Sequence, residues 1–376
     1  MEESKKNLKP DSNSKRERIE KQKESVLRVA KSMVERGLII RNWGNVSRRS
    51  GKNHFVCTPE NMLAFELSLE DISRVNINTL SYSGDSKPSE EKNMHAAIYK
   101  VRDDAGFIIH THQPYAAIVS ALEDKEILIS HGENEIPEME GLSRLSIIPY
   151  EEVGSEELEQ QIVKTLNDDP DSFALLLASH GMVCWGRTEK EAMHRAEQVE
   201  IVCYTYLAEI CNTNLQYGLK GEYSSERDGD EIRYLSADVP EKVQNIHKEI
   251  YKKRSDINAI VHQNTDAERI VANRFTRLEA IHDDFAQIIG AEVKIPANSK
   301  ESIWNSISIR KSCNAIFSPE YGAFCLGRTI DHARAAAMIV NKECIAKIAL
   351  TRIKKDGSLP WFHRIKMHRT YVKKSL

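Results

Sequence analysis

His110 and His112 stand one residue apart at the end of an apolar run, in "FIIHTHQPYAAIVSAL" at 107–122. Such a run reads as a buried strand, and residues i and i+2 of a strand share a face. The two imidazoles would project from one side, a few ångströms apart, a workable chelate for a transition metal. The same pair also reads as strand-end histidines that hydrogen-bond loops. Two other stretches belong with it. Glu91 and His95 lie four apart on a helix and so on one face, and His180-Gly181 ends a second apolar strand in "SFALLLASHGMVCWG".

The chain that must position these groups has 376 residues, too many for a typical single domain, so two are expected. Hydrophobic residues at 40% and charged residues at 29% are ordinary for a soluble globular protein. No apolar run approaches 18 residues, which argues against a membrane span, and the polar N-terminus lacks the h-region of a secretory signal. Seven cysteines, an odd number without C-x-x-C spacing, read as reduced thiols of a cytoplasmic protein rather than a disulfide framework or cysteine zinc site. A net charge of −3 gives no steer toward nucleic acid or membrane. Only the end is strongly biased: eight Lys/Arg follow Thr351, opposed by Asp356 alone. A solvated tail is the simpler reading, a subunit interface or an anion site the functional one.

Residues 1–20 read as disordered, and a helix is expected over 21–37 with Val26, Val29, Ala30, Met33 and Val34 on one face. Ser89 is a plausible N-cap for a helix whose first turn carries Glu90 and Glu91. The first domain is set at 21–215, a polar, turn-rich linker at 216–236, a second domain at 237–350 and the basic tail at 351–376.

The second domain repeats the first. "NMHAAIYKVRDDAGFIIH" at 93–110 returns as "NIHKEIYKKRSDINAIVH" at 245–262, and "HGMVCWGRTEKEA" at 180–192 returns as "YGAFCLGRTIDHA" at 321–333. His110 meets His262, but His112 meets Asn264, His180 meets Tyr321 and Glu91 meets Val243. The second copy has no evident room for the first 70 or so residues of the first, including "GNVS". It keeps a framework and loses a polar constellation, which argues that the constellation is chemical. His95, which recurs as His247, reads as a packing histidine or one that supports a neighbouring site residue.

Six stretches, in order, resemble the class II aldolase/adducin family: "GLIIRNWGNVSRR", "CTPEN", "KPSEEKNMHAAIY", "IIHTHQPYA", "IIPYEEVGSEEL" and "LLLASHGMVCWG". The resemblance implies an α/β fold, three-layer α/β/α on a mainly antiparallel central sheet, here in two tandem copies. It implies a divalent metal, zinc as a rule with manganese or iron also admissible, on His110, His112 and His180, and an acid/base role for Glu91. Three neutral imidazoles leave open positions, as in catalytic sites. An ion there would stabilise the enediolate formed by C–C cleavage or proton loss, with a carboxylate to move the proton.

Family members that act on sugar phosphates hold the phosphate with small or amide groups. Gly44, Asn45, Thr58 and Ser89 are kept here, but Glu60-Asn61 replaces a Ser-Gly pair and Glu90 a second serine. A carboxylate ~4 Å from a dianion costs roughly 4 kcal/mol per unit charge at an effective dielectric of ~20. The substrate is therefore expected to be a small hydroxy-carbonyl compound other than a standard sugar phosphate, with Gly44, Asn45, Thr58, Glu60, Ser89 and Glu90 lining its site. Family enzymes commonly form fourfold assemblies in which a neighbour donates a tyrosine. The second copy would act as a built-in neighbour, two chains would mimic four subunits, and Tyr115, Tyr150, Tyr321, Tyr371 and His131 are the candidate donors. Against this lyase stand epimerisation, dehydration or decarboxylation on the same site, a redox role with iron, and an adducin-head-like interaction module without catalysis.

Overall fold

A computed structural model describes residues 12–39, 41, 43–60, 62–123, 125–129, 143–211, 216–219, 223–296 and 313–375. The chain divides into two compact units, one of residues 1–113, 128–176 and 182–199, the other of 114–127, 177–181 and 200–376. The division does not follow the repeat. Residues 114–127, 177–181 and 200–215 of the first copy fall in the unit that contains the second copy.

Strands β1 (Gly44–Arg49), β2 (His54–Cys57), β3 (Ser73–Asn76), β4 (Tyr82–Ser83), β5 (Phe107–Thr111), β6 (Glu126–Leu128), β7 (Arg144–Ile148), β8 (Ala174–Leu177) and β9 (Gly181–Gly186) form one sheet, ordered β4-β3-β2-β1-β5-β9-β8-β7-β6. Helices α1 (Ser12–Glu35), α2 (Lys92–Val101), α3 (Pro114–Ser120), α4 (Glu156–Asp168) and α5 (Glu189–Cys211) are threaded between them. The pairings from β4 across to β9 are antiparallel. Neighbours β7 and β8 are joined by α4, the long connection that parallel strands use. The α/β class expected from the sequence is what the chain adopts, with a mixed sheet rather than an antiparallel one throughout.

Strand β5, which carries His110 and ends one residue before His112, is central and buried at every position. Its pairing with β1 depends on Gly44, where a Cβ would lie 2.7 Å from the His110 carbonyl oxygen and 2.8 Å from Ile39 Cγ2. Helix α4 starts at a Ser155 cap that accepts from Leu158 N at 3.2 Å, and Glu156, Glu157 and Glu159 favour the positive end of its dipole.

The second copy repeats the middle of this sheet. Strands β10 (Tyr223–Asp228), β11 (Glu231–Tyr234), β12 (Ala259–Gln263), β13 (Arg277–Glu279), β14 (Glu292–Lys294), β15 (Ala315–Ser318) and β16 (Gly322–Gly327) follow, with helices α6 (Glu241–Lys253), α7 (Asp266–Arg274), α8 (Ile330–Arg352) and α9 (Trp361–Ser375). Five strands are ordered β11-β10-β12-β16-β15, the order of β2-β1-β5-β9-β8. The register matches as well: Ser47 faces Ile108 and Ser225 faces Ile260, while Ile108 faces Trp185 and Ile260 faces Leu326.

Three expectations are corrected. Part of the supposed linker at 216–236 is the β10–β11 hairpin, so the second copy does contain a counterpart of "GNVS". Its turn is Gly229-Asp230, with Gly229 at φ +57°, a two-residue hairpin turn with glycine at the first central position as type II′ turns favour. Residues 12–20 belong to α1 rather than to a disordered segment, and that helix ends at Glu35 rather than 37. The basic tail is not simply solvated. It forms α9, where Arg364 is buried and donates to Glu279 Oε1 at 3.1 Å, and His368 donates to Gln287 O at 3.0 Å.

All seven cysteines are free thiols, six of them buried. No helix among the described residues is long and apolar enough to cross a membrane.

Candidate metal centre

His110 near the end of β5 and His112 just after it have ring centroids 5.1 Å apart. His180 stands in the tight β8–β9 turn, after Ser179 in a left-handed conformation (φ +58°). The ladder sets its place relative to β5, because Thr111 pairs with Met182 and His110 with Val183. One ring nitrogen from each of His110, His112 and His180 can be chosen so that all lie within 4.8 Å of one another.

Hydrogen bonds assign the ring protons. His110 Nδ1 donates to the Met182 carbonyl at 2.8 Å, which leaves the lone pair on Nε2. His180 Nδ1 bonds Asp283 Oδ2, which likewise leaves Nε2 for a ligand. Glu91 Oε2 is 3.2 Å from His110 Nε2. Two lone-pair atoms face each other there, so the pair calls for a cation or a proton in common. The spacing is close to the edge of a tetrahedron of ligands ~2.0 Å from one ion, about 3.3 Å. The donor set fits a divalent metal.

A polar chain behind Glu91 fixes its carboxylate. Asn45 Nδ2 donates to Glu91 Oε2 at 2.6 Å, and His95 Nε2 donates to Asn45 Oδ1 at 2.5 Å. With that proton on Nε2, Ser47 Oγ donates to His95 Nδ1 at 2.6 Å and Tyr99 OH donates to Ser47 at 2.9 Å. Burial, with His110 nearby, drops His95 to about 3 and keeps it neutral. The sequence left a supporting role for His95 open beside packing. The structure adds a link from it to Glu91 through Asn45.

The loops expected to meet the substrate are brought together, though their polar groups are partly engaged. Pro59 bridges Pro88, Ser89 N donates to Thr58 O at 3.0 Å and Glu60 N to Lys87 O at 3.0 Å. Thr58 Oγ1 accepts from Val46 N at 3.1 Å, and Ser89 Oγ accepts from Glu91 N at 3.2 Å. Glu60 and Glu90 share Lys87, whose ammonium is 2.5 Å from the first and 3.7 Å from the second. Gly44, Asn45 and Thr58 also border a small interior cavity of about 20 Å³, otherwise walled by apolar residues such as Met33 and Leu67, with room for one water.

Two carboxylates near the histidines escaped the sequence reading. Glu200 accepts from Tyr115 N at 2.9 Å and Ala116 N at 3.0 Å, capping α3 directly after the histidine strand, and burial pushes its carboxyl up to about 7. Asp283 holds His180. Burial opposes its charge, but His180 and Lys342 outweigh that and bring its carboxyl below the ordinary value. Among the expected proton donors, Tyr115 Oη accepts from Tyr217 N at 3.1 Å, and His131 lies outside the described residues.

The family described as "Class II Aldolase and Adducin N-terminal domain" matches residues 24–207 and, a second time, 224–348. The chain belongs to this family. It is 31% identical to an L-fuculose phosphate aldolase of Methanococcus maripaludis, over 46% of this chain and 89% of that protein. It is 28% identical to a 3-oxo-tetronate 4-phosphate decarboxylase of Haemophilus influenzae, over 48% of this chain and 83% of that protein. A solved L-fuculose 1-phosphate aldolase superposes with a TM-score of 0.46 at 24% identity, covering 62% of this chain and 96% of that one. The two curated relatives are lyases, and each corresponds to about half of this chain.

Proposed function

We propose that the protein is a metal-dependent lyase that cleaves or rearranges a small hydroxy-carbonyl compound at the first copy. The observation that carries this reading is the convergence of three histidine nitrogens with a carboxylate facing one of them. His110, His112 and His180 would hold a divalent ion, zinc by the chemistry of the donors. Such an ion supplies Lewis-acid stabilisation of the enediolate. Glu91 moves the proton, and Asn45 keeps its carboxylate aimed. Epimerisation, dehydration and decarboxylation use the same groups, and which of them operates is decided by product analysis. The intact ligand set speaks against a non-catalytic interaction module.

The substrate is not held as a standard sugar phosphate. Glu60 and Glu90 leave a net negative charge beside Lys87, which disfavours a phosphate dianion there. Assembly as a pair of two-copy chains belongs to the same proposal and is read from the mass in light scattering.

The test is metal content by elemental mass spectrometry, followed by turnover of L-fuculose and ribulose beside their 1-phosphates. One ion per chain, with the free sugars preferred, supports the whole reading. Micromolar KM for a sugar phosphate removes the substrate assignment and keeps the lyase. Less than a tenth of an equivalent of metal, unrecovered on adding zinc, manganese or iron, removes the lyase.

A further inference from the structure

We infer that Asp283, a residue of the second copy, is a positioning residue for the metal ligand His180. The inference rests on the lyase reading above and adds a role for the half of the chain that lacks ligands.

Asp283 grips the turn at two points. Its side chain accepts from His180 Nδ1, and its backbone N–H donates to Ser179 O at 3.1 Å. Ser179 and His180 are the last two residues before β9, so the two contacts fix both the turn and the ring plane. Asp283 is 2% exposed and His180 is 8% exposed, so the pair is shielded from competing water. A carboxylate on the far nitrogen sets the tautomer and makes the near nitrogen a better donor. His110 has only a peptide carbonyl in that position.

The segment that carries Asp283 is itself pinned. Glu343 accepts from Ile281 N and His282 N and bonds His282 Nδ1 at 2.6 Å. His282 Nε2 donates to Ala117 O at 2.9 Å, and Lys342 pairs with Asp284. Four consecutive residues, 281–284, are thus held by α8 or α3 or hold the His180 turn. A charge buried this thoroughly is costly unless it is paired, and Asp283 bonds His180 directly with Lys342 adding further positive charge.

The test uses the full-length chain. Zinc dissociation constants are measured by competition with a chromophoric chelator for wild type, Asp283→Asn and Asp283→Ala, beside urea unfolding of each metal-free protein. Removing such a partner weakens metal binding ~10–100-fold, and about tenfold is expected for the asparagine, which keeps an acceptor but not the charge. The inference stands if Asp283→Asn loses that affinity while its metal-free stability matches wild type. It falls if Asp283→Asn binds zinc within twofold of wild type. It falls equally if the metal-free protein loses stability in parallel, since Asp283 is then a packing residue. Should Asp283→Ala not fold, the near-isosteric asparagine decides alone. A wild type that binds no metal removes the lyase reading along with this one. Normal binding in wild type and variants alike removes only this one.

Discussion

The two copies share a framework down to individual hydrogen bonds. In the first, Ser47 bonds His95 Nδ1 and Tyr99 OH at 2.6 and 2.9 Å; in the second, Ser225 bonds His247 Nδ1 and Tyr251 OH at 2.8 and 3.0 Å. Arg49 lies over the Tyr99 ring and Arg227 over that of Tyr251. They part at the end of the central strand. His110 bonds the Met182 carbonyl through Nδ1, whereas His262 turns Nε2 toward Tyr321 O at 2.5 Å and stacks on Phe324 at 4.4 Å. The second copy shows that strand, clip and hairpin form without the ligand set. The framework thus does not require the ligand set, which supports a chemical reading of the polar groups in the first copy.

The sharpest break of this comparison is His110→Ala against His262→Ala. The first should abolish metal binding and turnover, and the second should leave one ion in place, as counted by elemental mass spectrometry. If His262→Ala also empties the protein, the asymmetry between copies is not what it is taken to be. Next in size, Glu91→Gln should lower kcat by ~10²–10⁴ with metal content unchanged, since proton transfer is the function removed.

A smaller effect tests what the copies share. His95 and His247 are each drawn down to about 3, chiefly by burial. Their folded values lie below the unfolded ~6.5, so between the two the unfolded chain binds more protons. Stability should then fall as pH drops below ~6.5, by up to about 1.4 kcal/mol per pH unit for each histidine. Urea midpoints at pH 7.5, 6.0 and 5.0 would show the slope. His247→Gln should flatten it by one histidine's share, and an unchanged slope would mean that His247 is not the neutral buried group described. The smallest expected effect is none at all. The double substitution Asn264→His and Tyr321→His should not bring a second equivalent of zinc, because His262 is turned away and Val243 stands where Glu91 would. A second bound ion would show that the copies differ by ligands alone.

The nearness of His110 and His112 is legible in the sequence because strand periodicity is local: i and i+2 share a face wherever the strand lies. The duplication was readable because its two blocks kept their order. The β10–β11 hairpin was missed because its residues are polar and its "RDGDE" turn signal was weighed as a linker. Asp283 was out of reach for another reason. It stands 103 positions from His180 in sequence, in "IHDDF", and no local pattern marks an acid whose partner arrives only through the fold. The helical form of the tail was similarly hidden, because its buried members are Arg364 and Leu359 in a run of basic residues.

The bond from His180 to Asp283 joins two parts of one polypeptide. A carboxylate lent by a separate subunit would leave on dilution, and its effect on the metal would fade with protein concentration. One tethered by the chain is present at an effective concentration that dilution cannot change. The affinity of this centre for its ion, as far as it depends on Asp283, should be the same at nanomolar protein as in a crowded cell.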